Sequence, residues 1–419
     1  MKLTRAFDVA LWTLLLIALA RTTVLVRRRD TSEFDAVDIS ATIAIVIVAA
    51  IIGLLVLHPR SRQVLGSLRE SSVILVPVYF VLAALTALWS LRPDFTVFRA
   101  LEVLTFFAAM FVLIAGFRDW RNAERAMLTV LMTVTVLSFL QRALFVGLSF
   151  EGLHTNVYTV TAGMGFLYAL GESFRADAER RRALRRWMVV FLAFAIAGTS
   201  AGSNIGIACG VLAMLPFLPP SRIILVPIGI ACVAIIVVLG TSEEFLSSTL
   251  LSGRSIEDAQ SLTGRMDLWR AYFDAFAERP LIGHGFAVVA RLGDQFGTNA
   301  TTNAHNGFIE ALIGLGVFGF ALLLIFSIRL VAETWKANRA GIAGGLGCMA
   351  ALIMMMVNNN SKSILGGGYD PTVLGVFAML AFFHVYTWRA VREQEAQRRM
   401  VREVAVNERL ADGASSARP

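Results

Sequence analysis

The chain has 419 residues, of which 57% are hydrophobic and only 16% are charged, and its mean hydropathy is +0.68. These values exclude a soluble globular protein and indicate a polytopic membrane protein. The formal net charge of +8 does not predict nucleic-acid binding. The surplus arginines fall in short loops between apolar segments, where they suit anionic lipid head groups.

Segments long enough to cross a hydrocarbon core of roughly 30 Å occur about twelve times. The predicted spans lie near 6–26, 37–57, 72–89, 99–117, 126–144, 156–172, 187–200, 204–218, 223–240, 306–328, 341–358 and 372–388. The spans at 187–200 and 204–218 are short, so a re-entrant pair or broken helices are alternatives there.

The predicted fold class is therefore all-α and polytopic, with one large polar loop. Residues 1–240 form a bundle of about nine spans, 241–305 form the loop, and 306–388 form about three further spans. The tail at 389–419 is basic and is expected to be partly disordered. Short loops rich in Lys and Arg stay in the cytoplasm, which places both termini there and the 241–305 loop outside.

All three cysteines lie inside predicted spans, at Cys209, Cys232 and Cys348. Neither a disulfide framework nor a thiolate metal site is then available to the outward loop. We expect no metal and no cofactor, and the loop has to be ordered by packing alone.

Within this loop, the sequence predicts a helix from about Arg265 to Glu278, which Thr263 can cap and which Pro280 and Gly283 end. Apolar residues recur on it at three- and four-residue spacing, so it is amphipathic and should lie along the membrane surface. Its apolar face consists of Met266, Trp269, Tyr272, Phe273 and Phe276.

Two residues of the loop are candidates for chemistry. The start of this helix combines unpaired backbone N–H groups with the guanidinium of Arg265, which suits a phosphate or a diphosphate. Arg254, Arg270 and Arg279 can add positive charge nearby. His305 directly precedes a helix that starts at Asn306 and can take a proton from an attacking hydroxyl near neutral pH. The alternatives are a solvated charge for Arg265 and a helix cap or loop hydrogen bond for His305.

Several motifs resemble the O-antigen ligase and polysaccharide polymerase family, which includes the exopolysaccharide polymerases. In the loop they are Leu262-Thr-Gly-Arg265, Asp267-Leu-Trp269, Pro280-Leu-Ile-Gly-His-Gly285, His305-Asn306-Gly-Phe-Ile-Glu310 and Gly314-Leu-Gly-Val-Phe-Gly319. Upstream they are Leu88-Trp-Ser-Leu-Arg-Pro-Asp94 with Arg99, and His154-Thr-Asn156. The resemblance covers about residues 75–385 and is most specific in 261–319.

This resemblance implies an inverting, metal-independent glycosyl transfer at the outer face of the bacterial inner membrane. The donor would be a glycan on undecaprenyl diphosphate, and the acceptor a second glycan or a lipid A core sugar. Arg265 would bind the diphosphate and His305 would act as base, with Asn306 beside it in contact with substrate. Membrane lipids, and a chain-length regulator or export proteins, are the implied partners.

Many family members carry a second cation at the outer end of a middle span, whereas the matching region here, Thr199-Ser-Ala-Gly-Ser203-Asn204, has none. Candidate sources of that charge are Arg254, Arg99, Arg142 and Lys362. A plain outward loop is the alternative for Lys362. His154, Asn156 and Tyr158 can line an acceptor groove, with helix-end packing as the alternative.

Polymerase and ligase remain two possible activities. The paired Leu250-Leu-Ser-Gly-Arg254 and Leu262-Thr-Gly-Arg265 segments favour a polymerase, and a ligase that transfers the finished chain is the alternative. A flippase or other transporter is the alternative from a different class. Charges within spans, which transport favours, are nearly absent apart from Arg21 and Glu102.

Two carboxylates of this region can position other residues. Glu310 can orient His305, and Asp267 can orient Arg270 or the helix start.

Overall fold

A computed structural model of the protein describes residues 2–23, 39–146, 155–198, 200–218, 265–289 and 304–416. Within these ranges all regular structure is helical and no strand occurs. The all-α fold class is therefore confirmed for the described residues. The helices are α1 Lys2–Thr23, α2 Ile39–Leu57, α3 Ser61–Ser67, α4 Leu75–Leu85, α5 Pro93–Ile114, α6 Trp120–Val146, α7 Asn156–Ser173, α8 Ala178–Ala197, α9 Ala201–Met214, α10 Arg265–Glu278, α11 Gly307–Arg339, α12 Gly345–Asn358, α13 Thr372–Phe382 and α14 Arg389–Ser416.

Long apolar helices identify a multi-pass membrane protein. Among the described residues, six helices have the length and hydropathy of a membrane span, and a bent pair, Ser61–Glu70 with Ser72–Leu88, would make a seventh. The six are Leu3–Thr23, Ser40–Leu57, Pro93–Ile114, Trp120–Leu144, Gly307–Arg339 and Thr372–Ala405. Each predicted span in these ranges coincides with a helix, whereas 223–240 lies outside the described residues. The total of about twelve spans stays a prediction.

The predicted short span at 187–200 belongs to a longer helix. α8 begins at Ala178, where the side chain of Asp177 accepts a hydrogen bond from the backbone N–H of Arg180. The arginine-rich run that follows is therefore helical. Arg180 turns inward and pairs with the buried carboxylates of Glu124 and Glu172, so burial of its charge is compensated.

The centre of the bundle is formed by α5, α7, α12 and α13. Every residue of α13 is buried, and it packs against α5, α6 and α7. A π-helical turn, Phe383–Trp388, continues α13 into α14. α13 thus lies inside the bundle, whereas α1 and α2, although apolar, present much of their surface outward.

The described residues distinguish two ends of the bundle. At one end, here called the basic end, arginine and lysine pairs join segments distant in sequence, such as Arg60 with Asp8 at 2.7 Å and Lys336 with Glu395 at 2.7 Å. The opposite end, here called the site end, contains the starts of α5, α11 and α13 together with α10. The candidate residues of the sequence that the structure describes lie at the site end.

Candidate active site

His305 lies at the start of α11. Its backbone φ is +51°, in the left-handed region that few residues other than glycine adopt. The next residue, Asn306, caps the helix, because its side-chain oxygen accepts hydrogen bonds from the backbone N–H groups of Phe308 at 3.0 Å and Ile309 at 3.2 Å. The predicted helix start at Asn306 is thereby confirmed. His305 is half-buried, so the residue is positioned by the helix start without being sealed inside it.

The residue before His305 is held by two side chains from other parts of the chain. Ala304 is fully buried, and its N–H donates to Glu310 Oε1 at 3.0 Å. Its carbonyl oxygen accepts a hydrogen bond from the indole Nε1 of Trp269 at 2.9 Å. The carboxylate of Glu310 therefore contacts the backbone beside His305.

α10 places Arg265 near this segment. The helix has the predicted bounds, Arg265–Glu278, and its buried face packs on the first turns of α11. The apolar cluster between the two helices consists of Leu268, Tyr272, Val289, Ala304, Ile309 and Ile313, with Trp269 and Phe276 at its edge. Phe273, predicted on the same apolar face, is 47% exposed. Since Trp269 follows Arg265 by four residues, the backbone of Arg265 lies about one turn, roughly 5.4 Å along the axis, from the residue that contacts Ala304.

A break in α11 shapes the other side of this region. At Gly316 the backbone leaves helical geometry, with φ +70° and ψ −165°. The segment 280–286, here called the strap, pairs with the opened backbone: His284 N–H donates to Ile313 O at 2.9 Å and Gly285 N–H to Gly314 O at 2.9 Å. The carbonyls of Ile313 and Gly314 are thus satisfied inside the protein, as a broken membrane helix requires. Residues 307–315 form a separate half-helix that begins at His305 and Asn306.

The loop between α12 and α13 closes over the start of this half-helix. The backbone N–H of Gly307 donates to Asn359 O at 2.7 Å, and the Ser363 hydroxyl donates to Glu310 Oε1 at 2.7 Å. Gly366, with φ +108°, and Gly367 lie so close to Gly307 and Glu310 that a Cβ atom at either would collide with them. Sequence reasoning singled out only Lys362 here, although three consecutive glycines at 366–368 were a signal of close backbone approach.

Lys362 is buried in this loop and already has an anionic partner. Its ammonium lies 2.9 Å from Asp370 Oδ1 and 2.6 Å from Thr372 Oγ1. Burial lowers the pKa of Lys362, and the neighbouring Asp370 carboxylate opposes that shift. Its charge is therefore matched within the loop.

Arg99 shares a carboxylate with another arginine. Its guanidinium lies 2.7 Å from Glu102 Oε2, and Arg21 lies 3.2 Å from Glu102 Oε1. Among the described residues, these two cations and one carboxylate leave an excess of one positive charge. Since Arg99 Cδ lies 3.9 Å from the point that a Cβ atom at Gly368 would occupy, Arg99 adjoins the glycine-rich loop.

In the 199–204 region, where the resemblance led us to look for a second cation, the described residues form hydroxyl contacts. Ser200 caps α9 by accepting from Ser203 N–H, and Ser203 Oγ lies 2.8 Å from Thr159 Oγ1. Asn156 accepts a hydrogen bond from the Ser200 hydroxyl, so it joins the starts of α7 and α9.

The remaining candidate residues lie elsewhere. Arg142 lies in α6 and is half-buried, and Arg270 is an exposed residue of α10. His154 and Arg254 lie outside the described residues.

The sequence of this region is similar to known proteins. Residues 187–324 match the family model described as O-Antigen ligase, and this region contains Arg265 and His305. The chain is 26% identical over 293 residues to the Exopolysaccharide production protein ExoQ of Rhizobium meliloti (strain 1021). The match covers 62% of this chain and 65%, less than two thirds, of the length of that relative. Both findings confirm the resemblance that the motifs predicted, and with the apolar helices they identify a multi-pass bacterial membrane protein.

Proposed function

We propose, from this resemblance to the O-antigen ligase and polysaccharide polymerase family, that the protein transfers a glycan from undecaprenyl diphosphate to an acceptor hydroxyl in surface polysaccharide synthesis. The observation that carries the proposal is the hydrogen bond between Trp269 and Ala304. It joins the helix that starts at Arg265 to the segment that presents His305, so the proposed anion-binding and base residues belong to one region.

In the proposed reaction, the imidazole of His305 accepts the proton of the acceptor hydroxyl. The acceptor oxygen forms a bond to the anomeric carbon as the bond from that carbon to the carrier phosphate breaks. The electron pair of the broken bond leaves with the diphosphate. A single displacement inverts the anomeric configuration, and no metal ion is required because Arg265 and the start of α10 balance the charge of the leaving group.

We further propose that Arg99 provides the second cation. Lys362 is matched by Asp370, whereas Arg99 belongs to a group with one excess positive charge beside the glycine-rich loop. Arg254 remains a candidate outside the described residues. Charge-assisted contacts from two arginines suit the spread charge of a diphosphate better than one contact does.

The charge distribution supports the predicted orientation. Arginine-rich segments at 58–69, 118–125 and 175–186, as well as Arg329 to Arg339, lie at the basic end, away from His305. By the positive-inside rule, we propose that the basic end and both termini face the cytoplasm. The active site then faces the periplasm.

Two substrate choices fit this site. The name of the relative concerns exopolysaccharide production, which favours a polymerase that extends carrier-linked repeats. The description of the matching family favours a ligase, which would transfer the finished chain to a lipid A core sugar. Carrier-linked single repeats accumulating after deletion of the gene would support the polymerase, and carrier-linked long chains would support the ligase.

The test is complementation of a deletion strain with His305→Ala and Arg265→Ala, each at wild-type membrane level. We expect loss of the surface glycan, with the carrier-linked precursor accumulating on the outer face. Arg182→Ala is the matched control, because Arg182 is an exposed arginine at the basic end and should support normal polymer. Full polymer from both site variants would contradict the assignment, and precursor trapped on the cytoplasmic face of the deletion strain would identify a flippase instead.

A further inference from the structure

The backbone that carries His305 adopts an unusual conformation that needs support. A left-handed φ of +51° at a residue with a side chain is unfavourable unless the surroundings fix it. Asn306 fixes the chain on one side by capping the half-helix. On the other side, the chain is fixed at Ala304.

Ala304 is held at both of its backbone polar groups. It has no solvent exposure, so its N–H and C=O both need partners. Those partners are two side chains, the carboxylate of Glu310 and the indole N–H of Trp269, which lie on different helices. Any shift of α10 against α11 would therefore move the segment that precedes His305.

Both partners are themselves fixed. Glu310 is buried and receives the hydroxyl of Ser363 at the same oxygen that Ala304 uses. Its other oxygen occupies the space that a side chain at Gly367 would fill. Trp269 packs at the edge of the apolar cluster that joins α10 to α11. The hydrogen bonds on Ala304 thus connect three parts of the site end: α10, the half-helix and the glycine-rich loop.

We propose that Trp269 and Glu310 are positioning residues, which clamp Ala304 and so fix the direction in which His305 is presented. This inference rests on the proposed function in one respect, the role of His305 as base. A base displaced by about 1 Å from its reacting hydroxyl can lose roughly a hundredfold in rate, while binding of a long lipid-linked substrate changes little.

The kinetic test uses the purified full chain in nanodiscs, with the carrier-linked precursor extracted from the deletion strain as substrate. Trp269→Phe keeps an aromatic ring but removes the N–H, and we expect kcat to fall roughly tenfold to a hundredfold with KM changed less than about twofold. Trp89→Phe is the matched control, since the Trp89 indole also donates to a backbone carbonyl, that of Ile282 at 3.1 Å, and does not touch Ala304. Equal kcat values for the two variants would overturn the proposal.

Variants at Glu310 separate positioning from direct proton transfer. Glu310→Gln keeps an oxygen that can accept from Ala304 and should retain kcat within about threefold, whereas Glu310→Ala should behave like Trp269→Phe. The pH dependence of kcat in Glu310→Gln should match that of the wild type. Equal loss of kcat in Glu310→Gln and Glu310→Ala would overturn the positioning role and favour a proton-transfer role for the carboxylate.

Hydrogen–deuterium exchange gives a reading that does not depend on activity. The Ala304 amide should exchange slowly in the wild type, in Glu310→Gln and in Trp89→Phe, and at least about tenfold faster in Glu310→Ala. Unchanged exchange in Glu310→Ala would overturn the clamp whatever the activity shows. Faster exchange together with wild-type kcat would overturn positioning. Full activity of His305→Ala would instead contradict the proposed function, with exchange still reporting on the clamp.

Discussion

The ammonium of Lys362 is bound by the carboxylate of Asp370, at 2.9 Å, within the loop that closes over the start of α11. Thr372 Oγ1 is a second partner of the ammonium, at 2.6 Å. The pair fixes the two ends of the loop, because Lys362 follows α12 and Asp370 precedes α13. A cation and its counter-ion thus stabilise the loop that holds Glu310.

Removing Asp370 alone should therefore destabilise the protein strongly. In Asp370→Ala a buried ammonium keeps only a hydroxyl partner, which should lower the free energy of unfolding by roughly 3–5 kcal/mol. The double variant Lys362→Met/Asp370→Ala should recover most of that loss, since no unpaired charge remains. Denaturant titration of the detergent-solubilised variants measures the free energy of unfolding of the single and the double variant. Wild-type stability of Asp370→Ala would contradict burial of the ammonium.

The stability contributed by Lys362 should depend on pH. Burial lowers the pKa of Lys362 in the folded protein below its ordinary value of 10.5, despite the opposing Asp370. Between the lowered pKa and 10.5, the unfolded chain holds a proton that the folded protein has released, so stability rises with pH through that interval. The wild type should gain stability relative to Lys362→Met as the pH increases toward the ordinary lysine pKa of 10.5. A loss of stability relative to Lys362→Met over this interval would contradict the lowered pKa.

Local patterns were sufficient to predict much of the site end. The amphipathic spacing after Arg265 gave the bounds of α10, and the position of Asn306 gave the start of α11, because periodicity and capping depend on neighbours in sequence. Glu310 was expected to orient His305, and beside the histidine its carboxylate accepts a hydrogen bond from the N–H of Ala304. That interpretation stays a prediction until the positioning variants are tested.

Contacts between distant segments could not be predicted in the same way. Nothing in the sequence around Lys362 indicates that Asp370 binds its ammonium rather than a substrate phosphate. The same holds for the indole of Trp269, whose acceptor lies 35 residues away in the chain. Such pairs depend on how the helices pack, which hydropathy and periodicity do not specify.

Gly316 should not tolerate a side chain. Its φ is +70°, and a Cβ atom would overlap the carbonyl oxygen of Leu281 in the strap. We expect Gly316→Ala to lower stability by about 1–3 kcal/mol through backbone strain, with a further loss from separating the strap from α11. Gly53→Ala is the control, since no atom lies within 4 Å of a Cβ there, and it should be neutral or slightly stabilising. Equal melting temperatures for the two variants would contradict the break in α11.

Arg99 and Glu102 should respond differently to substitution. Glu102 binds both Arg99 and Arg21, so Glu102→Ala leaves two adjacent cations without their carboxylate and should cost roughly 3–5 kcal/mol of stability. Arg99→Ala leaves Glu102 paired with Arg21 and should cost less.

If Arg99 is the second cation of the diphosphate site, Arg99→Ala should also raise KM for the carrier-linked precursor roughly tenfold, the typical worth of one charge-assisted hydrogen bond. Arg99→Lys, which keeps the charge, should recover part of that loss. Precursor kinetics with the purified variants, beside their unfolding curves, separate the two effects. An unchanged KM in a stable Arg99→Ala variant would remove Arg99 from the diphosphate site, and Arg254 would then be the next residue to substitute.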